Sequence, residues 1–404
     1  MTADRDVVIT GAGIASPLGF SLRELSDNVL AGRSGIRPIT KFDVAKHPCR
    51  FAGYIDAIPC PSGWSSADLA SRDHLHQLVI WCAVACLRDS GLWETRHAQR
   101  IGLVLGIGCE WMERWEADLH SGGKLIFDAS PGQRGLSQYC CAALELDGPR
   151  VSVATACASG NTALSVGRDL IRNGVVDVCL AGSIDMPVSP VSMACFGKLG
   201  ALSTRNETPA AASRPFDKNR DGFVMADGGA IFALETRDRA TKRSAPIYAT
   251  IAGYGSASDA FNMVSPSDDP NWAALAVKRA LADAGIGVEE LDYVNAHGTS
   301  TPAGDGFEAL ALFHALGDDA RRVPISATKS MTGHMLSGAA AIEATICLVA
   351  FQRQALPPTI NLDEVDPRCE LNHVAHQAQE RKVTWAMSNS FGFGGSNTCL
   401  ILKR

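Results

Sequence analysis

The chain reads as an α/β protein whose second half repeats the first, and three observations predict this. Strand-like and helix-like runs alternate throughout, the same rhythm returns after residue 245, and the runs 100–106 and 177–182 are apolar without alternation, as in strands covered on both faces. In order, "DVVITGAG" (6–13) is a strand entering a glycine turn, "HQLVIWCAVACLRDSGL" (76–92) a helix, and "RIGLVLGIG" (100–108) and "RVSVATA" (150–156) strands. A helix over 160–173 and the strands "VDVCLAG" (176–182) and "GGAIFALE" (228–235) complete the first half. The second half has the strand "APIYATIAGYG" (245–255) and the helix "NWAALAVKRALADAGI" (271–286). Further strands follow at "LDYVNAHG" (291–298), "VPISATK" (323–329), "VTWAMSNS" (383–390) and "TCLILK" (398–403). A seam is expected around 237–245, giving halves 1–240 and 241–404. The glycine-bearing, weakly periodic stretch 117–135 reads as a long loop or insertion.

Composition narrows the function. A 404-residue chain that is 46% hydrophobic and 20% charged has the make-up of a well-cored globular protein, and its net charge of −6 argues against a general nucleic-acid binder. Thirteen cysteines, an odd number scattered over a long chain, fit reduced thiols. Cys82 and Cys86 are one helical turn apart and Cys140 and Cys141 adjacent; neither is a C-x-x-C, so core positions rather than metal ligands are expected. "MTADRDVVIT" lacks the basic and apolar regions of a secretion signal. The apolar run "SGAAAIEATICLVAF" (337–351) is too short for a bilayer and carries Glu343, so it reads as a core helix. A soluble, cytoplasmic protein with no membrane contact is expected.

Four stretches carry chemistry. In "VSVATACASGNTALSVG" (151–167) Cys157 stands where a strand gives way to a helix. The unpaired N–H groups and positive dipole end of that helix favour thiolate, and small neighbours admit a bulky thioester, with Gly160 allowing close backbone passage. "NAHGTSTPAGD" places His297 just past a strand, with Thr299, Thr301 and Asp305 following. "SATKSMTGHMLSGAA" places Lys329 and His334 between a strand and the apolar helix, where Lys329 is able to bias the histidine toward neutrality. Glu343, inside that helix, needs a partner or a raised pKa, or faces solvent. Finally, "NSFGFGGSN" (389–397) sets Gly392, Gly394 and Gly395 in a tightly turning backbone whose N–H groups suit an oxyanion, with Phe391 and Phe393 bulky enough to form a door. The loop lacks the ending of a phosphate-binding loop, and "TGAGIAS" is too incomplete a glycine motif to support a nicotinamide-dependent oxidoreductase.

Together these motifs, with "FGKLGALSTRN" (196–206) and "SRPFDKNRDGFVMADGG" (213–229), resemble the elongating β-ketoacyl-[acyl carrier protein] synthases of the thiolase superfamily. The resemblance covers nearly the whole chain and is weak over 45–75 and 109–145. It implies a thiolase-like fold of two βαβαβ halves layered α-β-α-β-α, with the nucleophile in the first half and the two histidines and glycine loop in the second. It also implies that Cys157 takes an acyl group from a carrier protein's phosphopantetheine, and that the N–H groups of Cys157 and Phe393 hold the oxyanion. His297 and His334 would stabilise the enolate left when malonyl thioester loses CO₂, with Lys329 and Glu343 in support. Thr299 and Thr301 would bind pantetheine, while Phe196, Phe391 and Phe393 with Gly392 and Gly394 would gate the site. Neither metal nor separate cofactor is implied. An acyl carrier protein is the expected partner, with assembly as a homodimer or as a heterodimer with a related chain-length-determining subunit. The pathway stays open between fatty acid and polyketide or polyene synthesis.

Two departures stand out. The basic patch expected to grip an acidic carrier is thin: Arg72 with His74 and His76, Lys198 beside Gly200, and Lys124. The expected floor of the acyl pocket reads "GIGCEWMERWEAD", where Cys109 and Trp111, with Glu110 and Trp115, replace small or aliphatic residues, so Trp111 or Trp115 is expected to reshape the pocket or a subunit interface. A thiolase would want a second catalytic cysteine near the C-terminus, where Cys399 instead lies on a predicted strand.

Overall fold

In the computed structural model, which describes residues 6–124 and 135–404, the β-branched and leucine-rich runs form one large sheet. Its first half contains β1 (Val7–Ala15), β2 (Ile101–Gly106), β3 (Arg150–Val153), β4 (Val178–Asp185) and β5 (Gly228–Thr236). Its second contains β6 (Ala249–Ser258), β7 (Tyr293–Asn295), β8 (Pro324–Ser326), β9 (Asn372–His373), β10 (Trp385–Gly392) and β11 (Ser396–Lys403). From edge to seam the first half runs β3-β2-β4-β5-β1 and the second β8-β7-β10-β11-β6, with β9 added outside β8. Ranked by chain position these orders are identical. So are their directions: the three outer strands of each set run parallel, and the fourth and fifth are antiparallel. The halves meet through two residue pairs, Val8 with Thr250 and Ile9 with Ala249. The duplication inferred from the rhythm of the sequence is therefore present in the topology.

The helices complete the layers. On the outside, α1 (His74–Asp89) covers β1 and β5, while α2 (Met112–His120), α3 (Leu136–Leu144) and α5 (Pro190–Lys198) flank the first half. On the far side, α6 (Asn271–Ala284) covers β6 and β11 and supports α7 (Gly304–Leu316). Between the halves lie α4 (Ser159–Arg172) and α8 (Ala339–Arg353), each packed against strands from both. That central position explains why α8 is so apolar: Ala339 through Phe351 are buried without a break. The apolar stretch Leu336–Arg353, long enough to be weighed as a membrane span, is 89% buried inside the fold.

Glycine sets how closely the two central helices approach. A Cβ on Gly160 would lie 2.4 Å from the Ala341 nitrogen, so the room at this position is taken by α8 and not by a substrate. The small residues after Cys157 thus serve helix crossing first. Among the cysteines, Cys82, Cys86 and Cys140 are fully buried in the cluster beneath α1, as core positions should be. The stretch 117–135 differs from expectation: α2 occupies 112–120, and 125–134 lies outside the described residues. At the seam, 237–242 forms a short helix, capped by the Thr236 hydroxyl.

Candidate active site

Cys157 sits in a single 3-10 turn, Ala156–Ala158, between β3 and α4. The turn is tight. Ala156 has φ of +49°, a left-handed conformation that costs a non-glycine residue about 1 kcal/mol or more. The Ser159 hydroxyl stabilises it by accepting from the Thr155 N–H at 3.0 Å and donating to the Ala156 carbonyl at 2.7 Å. From the other side Gly392 presses against the turn, where a Cβ would lie 2.4 Å from the Thr155 carbonyl oxygen. The neighbouring Phe393 N–H favours the thiolate form of Cys157.

His297 follows β7, and its position is held from the backbone. The His297 and Gly298 N–H groups donate to the two oxygens of Glu308 at 2.9 and 2.7 Å. His334 is fixed by its own N–H, which donates to the Val224 carbonyl at 2.7 Å, and by the Ala226 N–H donating to its carbonyl at 2.9 Å. The two rings meet edge to face with centroids 5.5 Å apart. Donor atoms of Cys157, His297 and His334 all lie within 4.8 Å of one another, and each residue is buried.

Lys329 lies behind His297. Its Nζ donates to the His297 carbonyl at 2.6 Å, stands 3.2 Å from His297 Nδ1, and is paired with Glu343. An ammonium has no lone pair to offer, so Nδ1 is the acceptor and the neutral ring carries its proton on Nε2. Burial, reinforced by the Lys329 charge, holds both histidines well below their usual pKa. Glu343 is not the solvent-facing residue considered above: it is buried, and that burial pushes it up to about 7 against the pull of Lys329. Glu308 is likewise pushed up to about 7 by burial, opposed by the two N–H groups it accepts.

The thiol itself corrects the sequence reading. Burial pushes Cys157 up to about 11, and Lys329 and the Phe393 N–H only partly oppose this. Desolvation outweighs the Lys329 charge and the Phe393 N–H, so the resting group is a thiol and not a thiolate. Below that pKa the thiolate fraction rises tenfold per pH unit. We expect the rate of Cys157 alkylation by iodoacetamide to rise about tenfold per unit between pH 7 and 9; a plateau in that range, read by intact mass, would refute the account.

These groups face a cavity of about 490 Å³. Of the residues singled out from the sequence, Cys109, Phe196, Thr299, Thr301, Phe391, Gly392, Phe393 and Gly394 line it with Cys157, His297 and His334, whereas Lys329 and Glu343 stand behind the wall. The rings of Phe196 and Phe393 are 6.2 Å apart, and Phe393 is 38% exposed. Thr299 and Thr301 hydroxyls pair at 2.9 Å. Trp111 is a correction: it does not line the cavity, because the chain turns at 108–111 into α2, and its ring instead lies 5.3 Å from the Arg114 guanidinium. Trp115 is 52% exposed. His76 is a second correction, since it is 5% exposed and burial lowers its pKa, which removes it from a basic surface patch. His74 is spent on Glu113, at 3.0 Å. Glu308 and Asp185 were missed. The Glu308 signal was available, an acid one turn after Asp305 on α7, the helix that follows the histidine motif, but nothing in sequence spacing showed which way it pointed.

Fold and pocket together define an enzyme of the thiolase-like class, which works on acyl thioesters. Family comparison makes this specific. The chain belongs to the β-ketoacyl synthases: the family's N-terminal domain matches residues 4–240 and its C-terminal domain residues 248–363. It is 40% identical to the 3-oxoacyl-[acyl-carrier-protein] synthase 2 of Coxiella burnetii, over 99% of both chains. It is 38% identical to the tetracenomycin polyketide synthase ketoacyl synthase alpha subunit of Streptomyces glaucescens, over 100% of this chain and 98% of that one. Among solved structures it superposes on the ishigamide ketosynthase/chain length factor with a TM-score of 0.88, at 32% identity and 99% coverage of both.

Proposed function

We propose that the enzyme joins an acyl group held on Cys157 to the two-carbon unit left by decarboxylation of malonyl-[acyl carrier protein]. The convergence of Cys157, His297 and His334 in one buried cavity is the observation that carries this reading. In the first step the Cys157 sulfur attacks the acyl thioester of a carrier protein, and its proton leaves with the carrier's thiol. The Cys157 and Phe393 N–H groups stabilise the oxyanion. Malonyl thioester then loses CO₂, and His297 and His334 donate hydrogen bonds to the enolate oxygen. The enolate carbon attacks the acyl-Cys157 carbonyl, the carbon–sulfur bond breaks, and the departing thiolate takes a proton from solvent, so the free thiol returns with a β-ketoacyl carrier two carbons longer.

Lys329 and Glu343 touch no substrate in this scheme. Lys329 fixes the tautomer of His297, and Glu343 balances its charge. Thr299 and Thr301 hold the pantetheine arm, Cys109 borders the acyl end, and Phe196, Phe391, Phe393, Gly392 and Gly394 form the gate, which moves as the acyl group arrives. No separate cofactor enters, the halves 1–240 and 241–404 act as the two structural units, and the enzyme works in the cytoplasm.

A second reading adds a partner. The likeness to a ketosynthase/chain length factor favours a heterodimer with a related subunit. The test is to supply the chain alone, then with a co-expressed related subunit, with acyl-loaded and malonyl-loaded carriers, and to read the carrier products by mass spectrometry. A lengthened β-ketoacyl product from the chain alone supports the homodimer. Product only in the presence of the second subunit supports the heterodimer, and none in either case contradicts both.

A further inference from the structure

One buried carboxylate on the cavity wall is unused by the chemistry above. Asp185, the last residue of β4, is fully buried and lines the cavity beside Cys109. Its oxygens accept from the Met186 N–H at 3.1 Å, the Ser337 hydroxyl at 2.8 Å, and the Cys109 and Ser337 N–H groups at 3.3 Å. Three segments therefore converge on one side chain: the end of β2, the end of β4, and the turn that leads into α8. There is no spare room at the junction, since a Cβ on Gly108 would lie 2.5 Å from Asp185 Oδ2 and 2.8 Å from Ser337 Cβ.

The lone pairs of this carboxylate are engaged by the protein, which leaves none to recognise a substrate. Its effect is on walls. Gly108 and Cys109 on one side and Leu336 and Ser337 on the other all line the cavity, and Asp185 ties the two sides together. Leu336 reaches its place only through a left-handed backbone, φ +45°, in the turn that Asp185 holds. His334 is anchored separately, by its two backbone hydrogen bonds to Val224 and Ala226.

We propose that Asp185 is a positioning residue that sets the shape of the acyl end of the cavity, and through it which acyl chains Cys157 accepts. The inference rests on the synthase reading above. A buried N–H left without an acceptor is costly, so loss of the carboxylate forces the walls to rearrange. A hydrophobic pocket discriminates chain lengths by about 10–200-fold per methylene-sized change, so a moved wall is read as altered selectivity.

The experiment measures acylation of Cys157 by intact mass, using carrier thioesters from short to long straight chains, in wild type and in Asp185→Asn. The expected result is a change of at least about tenfold in the ratio of long-chain to short-chain rates. A merely structural role would lower all chains alike and leave that ratio within about twofold; such a result, or unchanged rates, overturns the proposal. Should Asp185→Asn fail to fold, Ser337→Ala removes only the hydroxyl bond, with a shift of about threefold in the ratio expected and an unaltered ratio counting against the proposal. Wild-type enzyme that accepts no acyl group from any carrier would instead defeat the synthase reading.

Discussion

Cys157→Ala yields a folded protein that takes up no acyl group and forms no condensed product, with turnover reduced by at least about 10⁴-fold. The other buried cysteines cannot substitute for it. Cys109, the second thiol on the cavity wall, is itself driven to a high pKa, by burial first and then by Asp185. Cys347 and Cys399 lie in the core away from the cavity lining and are likewise raised by burial. The fold tolerates the change because alanine keeps the 3-10 turn, which is held by Ser159 and Gly392 and not by the sulfur. Thermal unfolding within a few degrees of wild type, with the acyl adduct gone, is the pair of results to look for. An acyl adduct of undiminished yield on the variant would move the nucleophile elsewhere.

The second large effect separates the two half-reactions. His297→Ala and His334→Ala should each slow malonyl decarboxylation by about 10²–10³-fold, the usual loss for one hydrogen-bond donor aimed at a developing oxyanion. Acylation of Cys157 should fall much less, because its oxyanion is held by backbone N–H groups that neither substitution touches. The pH dependence has a definite sign. Both histidines have folded pKa values depressed far below the unfolded 6.5, so they stay neutral, and therefore protonated on one nitrogen only, well into acid. The decarboxylation rate should thus not fall as pH drops through 6.5. The same shifts stabilise the fold above pH 6.5 and withdraw that stability below it, since unfolding then lets both imidazoles bind protons. A decarboxylation profile that halves near pH 6.5, with protein still folded, would show that the imidazoles titrate normally and that the electrostatic account is wrong.

Much of this site was legible in the sequence because the residues that perform chemistry sit at strand ends, and strand ends are marked by abrupt changes of pattern. The apolar runs of β2 and β4 announced strands buried on both faces, Cys157 and His297 follow the ends of β3 and β7, and His334 lies just before the turn into α8. The repeated strand order was visible as a repeated rhythm. What could not be read was set by three-dimensional surroundings. The thiol pKa is decided by desolvation, which has no sequence signature, and so the helix terminus was over-weighted. Gly160 allows the close backbone passage expected of it, but only the folded molecule shows that the backbone concerned is that of Ala341. Trp111 sits two residues beyond a true lining residue, and a single turn of chain separates the two environments. Asp185 ends a strand of otherwise apolar and small residues, with no neighbouring motif to flag it; only the folded molecule shows Cys109 and Ser337 gathered on its oxygens.

The most direct test is to trap the acyl-enzyme. Purified enzyme is mixed with an acyl-loaded carrier protein, digested and mapped by mass spectrometry, then chased with malonyl-loaded carrier. The account predicts the acyl mass on the peptide bearing Cys157 and its disappearance in the chase, in step with a β-ketoacyl carrier two carbons longer. An adduct on a different residue, or none at all while the Cys157 thiol is shown to be free, would contradict it.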